Sequence, residues 1–449
     1  GSEMCIRDSR RDVPLDAHAS TPTPSERPDA LAILTAQDET RVQSLVPIRH
    51  GRMDRTPFTF YRGAAAVMAA DLAAGPTTDL HTQLCGDAHL SNFGLFKGPD
   101  RRLVFDVNDF DETLPGPFEW DVKRLAASIT IAGRNNELPQ QGIEDATLAA
   151  VAEYRSALDR AAEADALSVH YARLEIDEYT AGLDKKARKR KRKAVEKADR
   201  KDSIRATAKL TDIVDGRRVI VPDPPLITRV DELLEGERRI ELRRFFDRYR
   251  STLPPYRRAL LERYGLVDMA HKVVGVGSVG TRCLIVLMES GDGEPLFLQF
   301  KEAGPSVLEA HLGASRHEQA GERVVNGQRL MQATGDIFLG WSRFSSEHND
   351  RSTVDFYFRQ LWDGKGSAVV EDMGPKRLRK YAQACGGALA LAHARSGDAA
   401  MISGYLGDDA TFDHALTAFA DAYADLNEAD HRRHHEAIES GRLAAEFDL

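Results

Sequence analysis

Two short stretches of the chain concentrate residues able to do chemistry. CGDAHLSNFG, Cys85 to Gly94, holds Asp87, His89 and Asn92, and LVFDVNDFDE, Leu103 to Glu112, adds the carboxylates Asp106, Asp109, Asp111 and Glu112. Phosphoryl transfer needs such a set. One carboxylate orients the attacking hydroxyl and accepts its proton, and an amide oxygen five residues on can ligate Mg²⁺ between the phosphates of a nucleotide. A second carboxylate on a nearby turn completes the metal site. Asp87 is the expected base, Asn92 one expected metal ligand and Asp106 or Asp109 the other, with His89 in support.

Two other chemistries compete for these residues. A calcium loop counted from Asp106 would need an oxygen ligand at position five, glycine at six and glutamate at twelve; the chain has Phe110, Asp111 and Pro117 there, so that reading fails. A two-metal phosphoesterase also uses Asp, His and Asn, but no second GNH-type segment supplies the other metal. Side-chain capping of an ordinary turn stays open for the first stretch taken alone.

Further along lies GVGSVG, Gly275 to Gly280, with Gly275, Gly277, Ser278 and Gly280 in a G-x-G-x-x-G pattern. The residues after it, TRCLIVLM, read as a strand. A dinucleotide-binding turn would open a helix there, so a glycine-rich hairpin over nucleotide phosphates fits better. In LFLQFKEA, Lys301 closes a strand twenty-one residues after Gly280 and could pair with α/β-phosphates. Glu322 is the expected residue to orient it, with Glu318 on the same helical face and Glu309 as runners-up. Each residue alone is unremarkable; their order, glycine turn, strand lysine, helix glutamate, is the signal.

Positioning these groups takes more than one lobe, and 449 residues are enough for that. Residues 1–29 read as a lead-in without structure that begins with tag or read-through residues (GSEMCIRDS) and is rich in Pro, Ser, Thr and Asp. Residues 30–253 read as a large helical lobe carrying both acidic stretches, with amphipathic spacing in EWDVKRLAASITIAGR and IEDATLAAVAEYRSALDRAAEADAL. Residues 254–368 read as a small β-rich lobe, and 369–449 as helices returning to the large one. A basic run, 185–202, reads as a solvated segment, with a clamp for an anionic substrate or nucleic acid as the alternative. In HARSGD, Arg395 and Asp398 either cap a helix or line an acceptor site.

Bulk properties narrow the classes. A net charge of -9 disfavours nonspecific nucleic-acid binding, and the longest apolar runs are far short of the ~20 residues that span a bilayer. Four scattered cysteines without a CxxC pair argue against a zinc knot or a disulfide-stapled fold, so a reducing cytoplasm is expected.

CGDAHLSNFG and LVFDVNDFDETLPGPFEWD resemble the catalytic and metal loops of aminoglycoside phosphotransferases and of choline and homoserine kinases. Laid on that pattern, Asp109 matches the metal aspartate, which leaves Asp106 as runner-up, and Asp121 matches the helix aspartate that braces the catalytic loop; Cys85 stands where the relatives carry a histidine. FYRGAAAVMAADLA, KEAGPSVLEAHLG, GERVVNGQRLMQA and LAHARSGD resemble an uncharacterised bacterial family, domain of unknown function 2252, which implies no activity. The phosphotransferase resemblance implies an α+β, two-lobed, protein-kinase-like fold. Because Gly275 and Lys301 follow Asp87, it also implies a circular permutation, with the small lobe after the large one.

The expected function is ATP- and Mg²⁺-dependent (or Mn²⁺-dependent) transfer of a γ-phosphoryl group to a hydroxyl of a small molecule or protein. A non-catalytic nucleotide-binding regulatory module and a metal-dependent phosphoesterase are the alternatives. Nucleotidyl transfer uses the same groups and stays open.

Overall fold

The computed structural model describes residues 2–23, 25–175, 209–230, 236–345, 353–361 and 366–447; the basic run 185–202 lies outside them. Apolar residues at helical spacing form Phe118–Asn135, a helix buried along nearly its whole length. Three long helices, Gln140–Glu163, Pro375–Ser396 and Thr411–Glu439, pack around it. The last two pack on the helices Phe118–Asn135 and Gln140–Glu163 of the first half of the chain. Leu125, Ile129, Tyr154, Leu158, Leu389 and Leu416 share one core there. Because the central helix is enclosed, its Glu119, Asp121, Lys123 and Arg124 are buried too, and each must find partners.

Against this bundle lie two small antiparallel sheets whose loops matter most. His81–Leu84 pairs with Leu114–Pro117, Leu84 opposite Leu114. Phe93–Lys97 pairs with Leu103–Val107, Phe93 opposite Val107. The loop 85–92 and the acidic turn 108–113 therefore leave and re-enter paired strands at the same places, and this register lays them side by side. A hydrogen bond from the Asn108 amide to the Asn92 carbonyl, 2.8 Å, joins them directly.

A six-stranded antiparallel sheet forms the second body of structure, in the order Gly340–Ser345, Thr353–Gln360, Pro295–Ala303, Cys283–Ser290, Tyr264–Lys272, Ile227–Arg229. Alternation in LFLQFKEA sends Leu298 and Phe300 to one face, where the helix Gly236–Ser251 covers them with Phe245, Phe246 and Tyr249. Tyr249 stacks on Phe358 at 3.9 Å. The β-rich unit thus begins well before residue 254: this helix and the strand Ile227–Arg229 belong to the sheet. The expected boundary followed the Pro254-Pro255 break, which only separates this helix from the next.

The lead-in also differs from expectation. It carries a helix, Ser2–Asp12, and a 3-10 turn, Leu15–Ala19, whose His18 is fully buried and lies 2.7 Å from the Tyr405 hydroxyl. Its own apolar content is low, but it covers a surface that the C-terminal helices already provide. Among the described residues no helix is long and apolar enough to cross a membrane.

Glu119 offers a check on the enclosed helix. Its two oxygens accept from the Thr78 amide (2.6 Å) and hydroxyl (2.8 Å), and burial pushes its carboxyl up to about 7. The folded chain keeps a proton there that the unfolded chain releases near pH 4.5. Stability is therefore lost as pH rises through that interval. Glu119→Gln preserves the shape and removes the titration. Relative to the parent, it should gain up to ~3 kcal/mol between about pH 5 and pH 8 in urea unfolding. A difference that does not change with pH refutes the assignment.

Candidate active site

Asp121 is the first fixed point. From the central helix its Oδ2 accepts the Cys85 amide (2.7 Å) and its Oδ1 the Gly86 amide (3.0 Å), while His393 Nε2 stands 3.2 Å from Oδ2. His393 is held in turn by the Tyr154 hydroxyl, 2.7 Å from Nδ1. The loop is thereby anchored at the residues preceding Asp87. Gly86 has φ +82°, and a Cβ there would lie 2.3 Å from the Glu112 carbonyl oxygen, so only glycine lets the loop meet the acidic turn this closely.

Asp87 receives two nitrogens of Arg124 on Oδ1, Nε at 2.8 Å and Nη2 at 2.7 Å. Arg124 lies over the Tyr61 ring at 3.8 Å and also binds the Tyr61 carbonyl at 2.7 Å, which fixes its fork. Burial pushes the Asp87 carboxyl above the ordinary aspartate range, and Arg124 is the chief force opposing that rise. Oδ2 faces His89 Nε2 at 3.6 Å. Burial, reinforced by Arg62 and Arg124, drives His89 well below the usual imidazole value, so it is a neutral ring whose Nδ1 accepts the Ser91 amide. Asn92 donates Nδ2 to the Asp87 carbonyl at 2.8 Å, which leaves its Oδ1 as the unspent acceptor.

Lys301 comes to this loop pair from the other sheet. Its Nζ lies 2.5 Å from Asp111 Oδ2 and 3.9 Å from Asp109 Oδ2. Register explains the meeting. Lys301 is directly opposite Tyr357, and both reach Asp111, Tyr357 by donating its hydroxyl at 2.6 Å. Burial raises Asp109, and repulsion from Asp111 raises it further. Burial acts on Asp111 too, but Lys301 and Tyr357 overcome it and hold the group below the ordinary range. Lys301 stays charged because Asp109 and Asp111 outweigh its own burial.

Asp87, Asp109 and Asp111 keep 19%, 30% and 26% of their side chains exposed, so a ligand can reach all three. Oxygen donors of this kind suit Mg²⁺, which is commonly held by one or two carboxylates plus phosphate and water, rather than by an all-protein cage. Asn92 Oδ1 and Asp109 fit that role. Among the described residues no group of three or more His, Cys, Asp and Glu converges as a closed cage.

Other expected residues fall elsewhere. Asp106 is buried within its strand, where Oδ1 takes the Val107 amide and Oδ2 lies 3.9 Å from Arg395; burial brings it to about 6. It is a structural group, and the runner-up ligand assignment is corrected. Glu322 faces His317 at 3.7 Å, and Glu309 faces Arg323 at 3.7 Å and caps Ser306. The Glu318 carbonyl takes Arg343. None of the three glutamates is the partner of Lys301: the helix Ala320–Met331 turns Arg323 toward the acidic turn, where it donates to the carbonyls of Thr113 (2.7 Å) and Asp111 (2.8 Å). In HARSGD, Asp398 caps the helix Ala399–Leu406, and Arg395 ties the carbonyls of Met331 and Ala172.

The glycine-rich turn joins the strands Tyr264–Lys272 and Cys283–Ser290, with positive φ at Gly275 (+71°) and Gly280 (+91°). Its carbonyls are held from one side. Arg41 binds Gly277 (2.8 Å) and Val279, Arg52 binds Gly275 (2.8 Å), and the Val42 amide binds Gly280 (2.8 Å). Arg124 and Asp111 are residues of this cluster that the motifs did not announce. A signal exists for each: Arg124 follows Asp121 by three positions on one helix face, and Asp111 follows Asp109 by two on one turn.

A family model described as an uncharacterised protein conserved in bacteria matches residues 41–437, so the chain belongs to that family, domain of unknown function 2252. No curated protein and no solved structure matches it.

Asp121→Asn tests the brace. An amide cannot accept both loop N–H groups, so a buried donor is left unpaired, and unfolding free energy should drop by ~2–3 kcal/mol in urea titration. Hydrogen exchange at Cys85 and Gly86 should accelerate more than in the helix Thr411–Glu439. Uniform acceleration across both would show that Asp121 is not specific to the loop.

Proposed function

We propose that this member of the family is an ATP- and Mg²⁺-dependent phosphotransferase acting on a hydroxyl acceptor, with a circularly permuted, two-lobed, kinase-like arrangement. The observation that carries the reading is the convergence of Lys301 on Asp109 and Asp111, from about 190 residues downstream, beside the loop that holds Asp87 and Asn92. The order glycine turn, strand, strand lysine also supports it. Asp111 takes the lysine-orienting part that a helix glutamate was expected to play.

Asp87 accepts the acceptor's proton as its oxygen attacks the γ-phosphorus and the bond to the ADP oxygen breaks. Oδ2 is the oxygen for this, since Arg124 occupies Oδ1. Arg124 keeps Asp87 ionised and aimed; Lys301 pairs with the α/β-phosphates. Mg²⁺, when bound through Asp109 and Asn92, neutralises charge between the phosphates, and the repulsion that raises Asp109 is what a cation there relieves.

Phosphate release from Mg-ATP, with water or an added hydroxyl compound as acceptor, is the assay. Asp87→Asn should cut it ~10²–10⁴-fold while thermal stabilisation by Mg-ATP persists. Absence of any stabilisation by Mg-ATP, or phosphate release from a nitrophenyl ester without ATP, would sink the reading. The acid limb of the rate profile should lie above the ordinary aspartate range, with activity rising as Asp87 ionises. Arg124→Met removes the main force holding that proton off and should move the limb to higher pH. A limb that stays put refutes the role of Arg124.

A further inference from the structure

FYRGAAAVMAADLA contributes one charged side chain that no contact above explains. Arg62 lies in the last turn of the helix Pro57–Gly63, next to Tyr61, the residue that carries Arg124. It makes no hydrogen bond or ion pair among the described residues, and its Nε is buried without an acceptor. Most arginines near the site with a buried idle Nε spend their terminal nitrogens, Arg41 on Gly277 and Val279, Arg49 on Asp38, Arg323 on Asp111 and Thr113, while Arg257, away from the site, lies over the Tyr256 ring. A half-buried guanidinium with nothing to bind is costly, and an unexplained one points to a missing partner.

Its surroundings indicate the partner's charge. The Arg62 field reaches Asp87, His89 and Glu371. Asp87 is already matched by Arg124, His89 is neutral, and Glu371 is exposed to water at the margin. Two guanidinium groups thus face one enclosed carboxylate, leaving room for one more negative charge. The Arg62 carbonyl also lies 3.2 Å from where a Cβ on Gly277 would sit, so the Arg62 backbone packs against the glycine-rich turn. In that turn the amides of Val276, Gly277 and Ser278 donate no hydrogen bond among the described residues. Consecutive free amides, like a free guanidinium, are donors suited to an anion.

We propose that Arg62 is an oxyanion-binding residue that receives the terminal phosphoryl group of the nucleotide as it passes to the acceptor at Asp87. This rests on the phosphotransferase reading. Charge spreads over the equatorial oxygens of that group in transit, and a guanidinium fork meets two of them at once.

The test compares the parent with Arg62→Met and Arg62→Lys by calorimetric titration with Mg-ADP alone and with Mg-ADP plus aluminium fluoride, a mimic of the planar phosphoryl group. Arg62 holds no other residue, so the variants should keep the parent's thermal midpoint within a few degrees. Arg62→Met should lose about 10- to 100-fold in affinity for the aluminium fluoride complex and nothing for Mg-ADP, with Arg62→Lys in between. Equal affinity of parent and Arg62→Met for the complex, or an equal loss for both ligands, overturns the proposal. Should the parent bind no nucleotide, which defeats the phosphotransferase reading, titration with inorganic phosphate and pyrophosphate decides for Arg62 independently. Binding that Arg62→Met abolishes upholds the oxyanion role; equal binding, or none by either protein, overturns it.

Discussion

Asp109, Asp111 and Glu112 crowd like charges into one turn, and the fold is organised by the need to compensate them. A carboxylate set apart from bulk water stays ionised only if cations or hydrogen-bond donors reach it. Here they come from distant segments. Lys301 and Tyr357 arrive at the Asp111 carboxylate from neighbouring strands and the Val307 amide at that of Glu112, while Arg323 and the Ser306 hydroxyl hold the turn by the carbonyls of Asp111 and Glu112. Glu112, which Lys301 does not touch, is pushed by burial up to about 7. The compensation is therefore uneven: Asp111 is held as an anion, while Asp109 and Glu112 are left under strain. That imbalance gives the turn a reason to favour a cation.

The same requirement recurs at both ends of the chain. Asp38, His50, His434 and Asp54 form a line of three contacts, 2.8, 2.9 and 3.2 Å, tying the helix Val46–Asp54 to Thr411–Glu439. Arg49 on Asp38 at 2.7 Å extends the line at its far end. This clasp fixes the segment leading into Tyr61 and Arg62. Side chains at the site thus depend on contacts between residues almost 400 positions apart.

What was legible in the sequence was what local chemistry dictates. The Asp87–Asn92 loop, the strand bearing Lys301 and the helices with three- and four-residue spacing could be read from a short window, whereas Asp121 was picked out by the phosphotransferase resemblance alone. The choice of Asp111 over the glutamates could not, because it follows from strand register: Lys301 sits opposite Tyr357, and both face the turn. Asp106 and Asp109 look alike in the sequence, and only the pairing of Asp106 with Gly94 inside the sheet separates them. The helix Gly236–Ser251 was assigned to the wrong half because its aromatic residues reveal their partners, Phe300 and Phe358, only in three dimensions.

The glycine-rich turn shows how position in the chain alters the physics of a motif. A hairpin that projects alone over phosphates must be ordered when the ligand binds. This one is held on one side by Arg41, Arg52 and the Val42 amide, with Val276 and Val279 packed among residues of the N-terminal helices. The carbonyls of Gly275, Gly277, Val279 and Gly280 are committed to the N-terminal segment, and among the described residues three of the turn's amides donate no hydrogen bond. Folding has already fixed the turn, so an anion bound there recovers more of its contact energy than one that must first order a loop. Because those helices end in Tyr61 and Arg62, the segment that holds the turn also carries the support of Arg124 and hence of Asp87. A displacement of the segment would move the glycine-rich turn and Asp87 together.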